Sequence, residues 1–409
     1  VTRLAAKLVA QIRASGPITI ADYMAACLGD PEHGYYMRRE PFGRGGDFTT
    51  APEISQIFGE LLGLWAVAVW QAMGAPSPVA LAELGPGRGT LMADAMRATC
   101  IRPAFGTAAD IHLVETSPRL QAVQRQTLAG LDPAWCLRVE DLPAGPMILI
   151  ANEFFDALPI RQFVRSNGGW AERMIGIGAD GGLGFGLRPA MPVTPYLPSC
   201  SPHPSSYGEA KPRPEDPHPQ GIRRVPESGP PLNPPIKSGE GDDNRGLGPT
   251  VCNEEVVREI SPAALAIVET LSGRLMRDGG AALIIDYGHT EPGFGDTLQA
   301  VRHHHYDDVL AAPGESDLTA HVDFAALSAG AAKAGAFARP VLTQGEFLRR
   351  IGIAERAEAL ARGKDQATRS AIGSAVARLV EPRAMGELFK VLAISSPGLA
   401  LPGFDDTSG

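Results

Sequence analysis

The apolar positions of the chain follow two different periods. Up to about residue 75 they recur at helical spacing, first in RLAAKLVAQIRAS, then in IADYMAACL, and after Pro52 in the long run QIFGELLGLWAVAVWQA. Thr19, three residues ahead of Asp22, predicts a capping box at the start of the second helix. From Ala75 onward short apolar runs alternate with amphipathic ones. PVALAEL, IHLVET and PMILIANEFF read as strands, TLMADAMRAT and PRLQAVQRQTLAGL as helices, and GGAALIIDYG and LFKVLAIS as strands near the end. Strands that are apolar on both faces and alternate with helices predict an α/β fold, a mostly parallel sheet with helices on both faces, here preceded by an N-terminal helical cap.

Two stretches fit neither period. DPEHGYYMRREPFGRGGDFTTAPEISQIFG, between the early helices, is rich in Gly, Pro, aromatics and charge, and a loop that long in a compact domain is expected to be functional or disordered. Residues 192–250 are dominated by Pro, Ser, Gly and charge and offer almost nothing to bury, so a disordered insertion is expected there. The expected layout is a cap and lid over 1–75, a core begun in 76–191, the insertion at 192–250, a core completed in 251–400 with acceptor-side elements, and a flexible tail over 401–409.

Composition removes several functions. The 409 residues carry a net charge of −9 without a basic stripe, which argues against nucleic-acid binding. The longest apolar runs fall short of the roughly 20 residues a bilayer requires, so no stable membrane insertion is expected. The 5 cysteines stand far apart with no C-x-x-C pair, which suits a reducing compartment. The N-terminal segment reads as structure and not as a targeting sequence, so the expected location is cytoplasmic, of bacterial type, or the mitochondrial matrix for a eukaryotic source.

The chemistry begins at ELGPGRGTL, behind the first strand. A strand, a glycine turn and a helix set backbone N–H groups at the carboxyl edge of a sheet, where ligands of open α/β folds bind. Gly85, Gly87 and Gly89 miss the dinucleotide spacing, since Thr90 stands where the third glycine belongs, and no lysine completes a P-loop. Glu83 followed by G-x-G-x-G is similar to the cofactor loop of class I S-adenosylmethionine-dependent methyltransferases. Glycines would admit the methionine portion, and Glu83 would help hold its ammonium. A turn that needs glycine only for tight packing would look the same. Glu115, ending the next strand, suits the two ribose hydroxyls, or a helix N-terminus. Glu140, Asp141 and Leu142 follow the third strand as an adenine edge or an exposed turn.

The fourth strand delivers Asn152, Glu153, Phe154, Phe155 and Asp156 to the same edge, where the methyl should meet its acceptor. Glu153 and Asp156 suit a guanidinium held bidentately, though they would also suit capping of the next helix. Phe155 is expected on the substrate side. Three consecutive histidines, His303, His304 and His305, diverge along the chain and have no carboxylate or Cys at ligand spacing, so no metal is expected. RSAIGSAVARLV reads as a core-packing helix and not a membrane anchor.

With these stretches in order, the chain resembles the MidA-like methyltransferases, whose mitochondrial members act as complex I assembly factors and protein-arginine methyltransferases. DPEHGYY, GDFTTAPEISQIFGE, ELGPGRGTLMADAMR, VETSPRLQAVQ, ANEFFDALPIRQF, IIDYGH, DTLQAVRHHHYDDVL, DLTAHVDFAAL and MGELFKVLAIS carry the match. The resemblance implies that Gly46, Asp47, Phe48, Thr49 and Thr50 cover the cofactor with Ser55 and Phe58 behind them, and that Gly85, Gly87 and Glu115 hold S-adenosylmethionine. It implies that Asn152, Glu153 and Asp156 form the catalytic acidic loop, that Asp286, Tyr287, Gly288 and His321 lie near the acceptor channel, and that His304 is the family-matching histidine. The implied partner is a protein substrate, a respiratory complex I subunit being the family's example, with symmetric dimethylation of an arginine. A non-catalytic assembly protein on the same fold, and a small-molecule or RNA methyltransferase, remain open at this stage.

Overall fold

A computed structural model describes residues 1–38, 50–166, 169–189, 256–302 and 304–405. Its centre is a sheet of β1 (Val79–Leu84), β2 (Ala109–Val114), β3 (Ala134–Cys136), β4 (Met147–Asn152), β5 (Gly280–His289) and β6 (Phe389–Ser395). The spatial order is β3-β2-β1-β4-β5-β6; the first five run parallel and β6 runs antiparallel to β5. The order reverses between β1 and β4, the switch point where open α/β sheets bind ligands.

Alternation along each strand sorts the core into two faces. Val79 and Leu81 of β1, Ile148 and Ile150 of β4, and Leu283 and Ile285 of β5 point to one face. Ala80, Ala82 and Leu84, with Leu149, Ala151, Ala282 and Ile284, point to the other. Helices are needed on both sides, and the chain supplies them: α1 (Arg3–Ser15) and α2 (Ile20–Gly29) in the cap, then α3 (Gln56–Ala72), α4 (Thr90–Ala98), α5 (Pro118–Thr127), α6 (Pro262–Asp278), α7 (Phe324–Lys333) and α8 (Gln366–Val380). α3 covers the first face with Ile57, Phe58, Leu61, Trp65 and Val69, while Val268, Leu271 and Leu275 of α6 and Leu327 of α7 cover the second. Gly59 and Gly63 lie one turn apart on α3, and a Cβ there would meet Asp94 Cβ at 2.7 Å and Ala95 O at 2.4 Å. These two positions let α3 approach α4 closely.

The capping box at Thr19 and Asp22 forms as expected. The cap, however, has no core of its own. Leu4, Leu8, Tyr23 and Met24 of α1 and α2 share one cluster with Ile160, Ile175, Leu298 and Leu318. The shared surface is an antiparallel sheet of Ile18–Thr19, Gly169–Ile177, Arg161–Ser166 and Val257–Ile260, with Leu183–Pro189 on the far side of Gly169–Ile177. The strands Arg161–Ser166, Gly169–Ile177 and Leu183–Pro189 belong to this antiparallel sheet and not to the parallel one. Consecutive residues of these strands are buried, Gln162, Phe163 and Val164 on one and Ala171 and Glu172 on its neighbour, with Phe163 paired to Glu172. The supposed loop after α2 contains two short helices, Tyr35–Arg38 and Ala51–Ile54, and Tyr35 is fully buried. Gly46, Asp47, Phe48 and Thr49, the 192–250 segment and His303 lie outside the described residues. On α8 only Leu379 is fully buried, with Ile372, Val376 and Val380 packed partly against the core. The helix thus packs along one stripe and leaves its other face exposed. No helix among the described residues is long and apolar enough to cross a membrane.

Candidate active site

Parallel register sets the candidate residues side by side. Leu84 pairs with Val114 on one side and Ala151 on the other, and Ile285 pairs with Asn152. The residues that follow, Gly85, Glu115, Glu153 and Asp286, therefore emerge along one edge of the sheet. Thr50, Pro52, Glu53, Glu83, Gly85, Gly87, Arg88, Asn152 and Glu153 line a pocket there.

The glycine turn has the conformation its sequence demands. Gly85, Gly87 and Gly89 have φ of 59°, 53° and 82°, a left-handed run that side chains with a Cβ resist. A Cβ on Gly85 would also stand 2.8 Å from Phe154 Cδ2. Gly87 O accepts from Gln124 Nε2 at 2.8 Å, and Gly89 caps α4 and packs against Leu128, so it shapes the helix start and does not line the pocket. Glu115 Oε1 accepts from Ser117 N at 2.7 Å and Oε2 from Gln124 Nε2 at 3.2 Å; burial raises its pKa against these bonds.

Glu83 is the outlier. It is 3% exposed, and burial pushes its carboxyl up to about 8. Its Oε2 has no hydrogen-bond partner among the described residues, and neither does Asn152 Oδ1 in the same pocket. Buried acceptors without donors are rare in folded chains, and here they line a cavity. Their chemistry fits a ligand that brings donors, an ammonium above all. The residues present thus fit S-adenosylmethionine.

The loop after β4 is strained. Glu153 has φ 51°, a conformation that costs non-glycine residues on the order of 1–2 kcal/mol, and such strain collects at functional sites. Several contacts hold it: its N–H donates to Ile285 O at 2.9 Å, while Oε1 accepts from Ala51 N at 3.0 Å and Asn152 Nδ2 at 3.1 Å. The Ala51 contact joins the acid to the Ala51–Ile54 helix, which Thr50 precedes. That helix is joined to the cofactor turn by Thr90 Oγ1, which donates to Glu53 Oε1 at 2.7 Å. Glu53 was not singled out from the sequence; the TTAPE stretch gives only a cap signal. Burial first, and the Asp156 charge, raise Glu153 to about 7. Burial raises Asp156 to about 6 against the Tyr287 hydroxyl that donates to it.

Several expected residues take other roles. The Phe155 side chain is 3% exposed within the core; its neighbour Phe154 is the one that meets the glycine turn. Asp286 is fully buried, and both of its carboxylate oxygens are taken by backbone N–H groups. Its Oδ2 accepts from the N–H groups of Phe155 and Asp156 at 2.9 and 3.1 Å and its Oδ1 from Tyr287 N at 2.9 Å, so it clamps the acidic loop from beneath. Burial and the neighbouring acids Asp156 and Glu153 hold its pKa well above the carboxylate range. Asp141 is exposed and caps its own turn through Arg138 N at 3.1 Å, while Leu142 is a core side chain. Phe58 is likewise core, and Ser55 caps α3. Gly288 is fixed by packing, since a Cβ would lie 2.0 Å from Val322 O. His321 stands edge-on to Tyr287 at 5.4 Å, beside the acidic loop. His304 is exposed in a turn with φ 63°. No cluster of metal-ligating side chains occurs among the described residues.

Fold order, glycine turn and buried acid together define a class I S-adenosylmethionine-dependent methyltransferase. Residues 61–341 match the family model described as "Putative S-adenosyl-L-methionine-dependent methyltransferase", and the chain belongs to that family. It is 35% identical to the protein arginine methyltransferase NDUFAF7, mitochondrial, of Danio rerio, over 95% of this chain and 85% of that protein. The Homo sapiens protein of the same name is 33% identical over 96% of this chain and 83% of its own length. A solved Burkholderia thailandensis structure bound to S-adenosyl-homocysteine superposes with a TM-score of 0.69 at 27% identity, covering 98% of this chain and 92% of that one. The chain is a methyltransferase, and its cofactor is S-adenosylmethionine. The expectation of a cytoplasmic, bacterial-type protein is corrected by these relatives, which are named as mitochondrial.

Proposed function

We propose that the enzyme methylates arginine side chains of a protein substrate, with Asn152, Glu153 and Asp156 as its catalytic residues. The observation that carries this reading is Glu153, an acid held in a strained backbone at the pocket wall with its pKa raised to about 7. A guanidinium is a cation and a poor nucleophile, so the site must both bind its charge and take a proton as the nitrogen is alkylated. Glu153 and Asp156 can share the two nitrogens of the planar fork. An acid near pKa 7 accepts the released proton far better than an ordinary carboxylate. Asn152 holds Glu153 through its amide and leaves its own Oδ1 for a donor in the pocket.

When bound, S-adenosylmethionine supplies a methyl group on a sulfonium, an electrophile open to a nucleophile held in line. Glu83 would take its ammonium, Glu115 its ribose hydroxyls, and Gly85 and Gly87 would let the backbone approach it, with Thr50 at the rim. Much of the catalytic effect is positioning: an oriented pair avoids the entropy cost of encounter. The relatives named as protein arginine methyltransferases support the acceptor class. The finer reading, symmetric dimethylation of a respiratory complex I subunit, rests on the sequence resemblance. The test is transfer of a labelled methyl group to isolated complex I subunits. The reading expects label in one subunit, lost with Glu153→Gln while cofactor binding persists; label retained at the wild-type rate in that variant would refute the assignment.

A further inference from the structure

Tyr36 lies in the short helix Tyr35–Arg38, far in sequence from both the cofactor turn and the acidic loop. Its hydroxyl donates to Asp317, 3.0 and 3.1 Å from the two carboxylate oxygens. Its carbonyl accepts from Ser117 Oγ at 2.9 Å, and Ser117 N in turn donates to Glu115, the acid suited to the ribose. Asp317 belongs to the strand Asp317–Thr319, whose next residue, Ala320, donates its N–H to Asp156 O at 3.0 Å. Asp317 and Thr319 are two apart on this strand and face the same way. Tyr36 meets Asp317, and Tyr287 meets both Thr319 and Asp156. Tyr287 bonds Asp156 directly, and Tyr36 is tied to the same loop through the Asp317–Thr319 strand and the Ala320 N–H. The orphan Oδ1 of Asn152, 8% exposed, lies in the same sheet-edge pocket as Glu153 and marks it as a place for an added donor.

We propose that Tyr36, anchored by Asp317, is a specificity-determining positioning residue of the methyl-acceptor site: it fixes the wall that flanks Asp156 and ties that wall to the ribose-side loop through Ser117. The inference rests on the arginine reading above. Two tyrosine rings, each beside a buried carboxylate, suit a flat cation, because a guanidinium stacks on aromatic faces while its N–H groups reach the acid. A lysine ammonium has no planar fork to match this geometry. Acceptor recognition, through the side chain, and cofactor seating, through the main-chain carbonyl, thereby meet on one residue.

The test measures methyl transfer to an arginine-containing peptide pool and to the same pool with lysine in place of arginine, using wild type, Tyr36→Phe, Asp317→Asn and Ser117→Ala. Affinity for S-adenosyl-homocysteine and the unfolding temperature are recorded for each. The Tyr36–Asp317 bond holds the ring and does not itself touch the acceptor; a ring freed of it loses cation stacking, which predicts a KM for the arginine pool about 2- to 30-fold higher in Tyr36→Phe, with kcat within about threefold. Asp317→Asn should act in the same direction, and the double variant should be no worse than the weaker single one. S-adenosyl-homocysteine affinity should stay within about twofold in Tyr36→Phe and fall only in Ser117→Ala. An unchanged KM in folded Tyr36→Phe or Asp317→Asn would overturn the inference, as would equal losses of cofactor and acceptor binding. Wild type that binds S-adenosyl-homocysteine but methylates only the lysine pool, or neither, would overturn the arginine reading and this inference with it.

Discussion

The proposed pairing of Glu83 with the ligand ammonium predicts that cofactor binding releases a proton. The Glu83 carboxyl is buried, lacks a partner at Oε2, and is pushed up to about 8 by burial alone. At pH 7 about one tenth of the free enzyme carries it ionised, and at pH 6 about one hundredth. A ligand ammonium binds the ionised form, so affinity for S-adenosylmethionine should rise about tenfold between pH 6 and 7, about 1.4 kcal/mol. Near pH 8 the rise stops, and above it the ligand's own amino group, of pKa about 7.7–8.0, begins to lose its charge. Titration calorimetry in buffers of different ionisation enthalpy reads the released proton directly. Glu153, pushed up to about 7, titrates in the same window, so Glu83→Gln is the control that separates the two. That variant should lose the tenfold dependence and most of the affinity. Its folding should move oppositely. An acid whose folded pKa is raised destabilises the fold as pH climbs from the ordinary carboxylate value toward about 8, so Glu83→Gln should gain on wild type across that window. A flat affinity profile in wild type, or the same slope in Glu83→Gln, would refute the reasoning.

Gly85→Val adds a Cβ where φ is 59° and Phe154 is 2.8 Å away, so S-adenosylmethionine affinity should fall at least tenfold by calorimetry, with about 1–2 kcal/mol of stability lost to the backbone alone. Asp286→Ala strips the partner from three N–H groups, two of them in fully buried bonds; at about 1–3 kcal/mol for each buried group, chemical denaturation should show a loss of at least about 2 kcal/mol, together with loss of transfer activity. Glu153→Gln should abolish the rise in transfer rate centred near pH 7 in wild type, as the carboxylate form above that pH is the active one; a profile identical to wild type would exclude Glu153 as the proton acceptor.

Strand and helix order was legible because β1, β4 and β5 are near-continuous apolar runs, the pattern of a parallel sheet covered on both faces. Glu83 and the glycines were legible from spacing, since left-handed turns restrict residue choice. What the sequence concealed depended on long-range contacts. Nothing in NEFFD says that Phe154 meets the glycine turn while Phe155 enters the core, because at a strand end the two-residue alternation stops. Asp286 follows five apolar residues as a catalytic acid would, yet the register of β5 against β4 sets it beneath the loop, where backbone N–H groups claim it. The cap was read as separate because its partners, Ile160, Ile175 and Leu318, lie more than a hundred positions away. Glu53 and Tyr36 lie in stretches that carry the family match, but neither stretch says which residue matters; that comes from Thr90 and Asp317 across the fold.

The most direct test of the account is to locate the transferred methyl group. The enzyme is incubated with labelled S-adenosylmethionine and a mitochondrial protein extract, and labelled peptides are sequenced by mass spectrometry. The account predicts label on a guanidino nitrogen of arginine in a protein, absent with Gly85→Val and with Glu153→Gln. Label confined to lysine, histidine or small molecules, or label that survives Glu153→Gln undiminished, would contradict it.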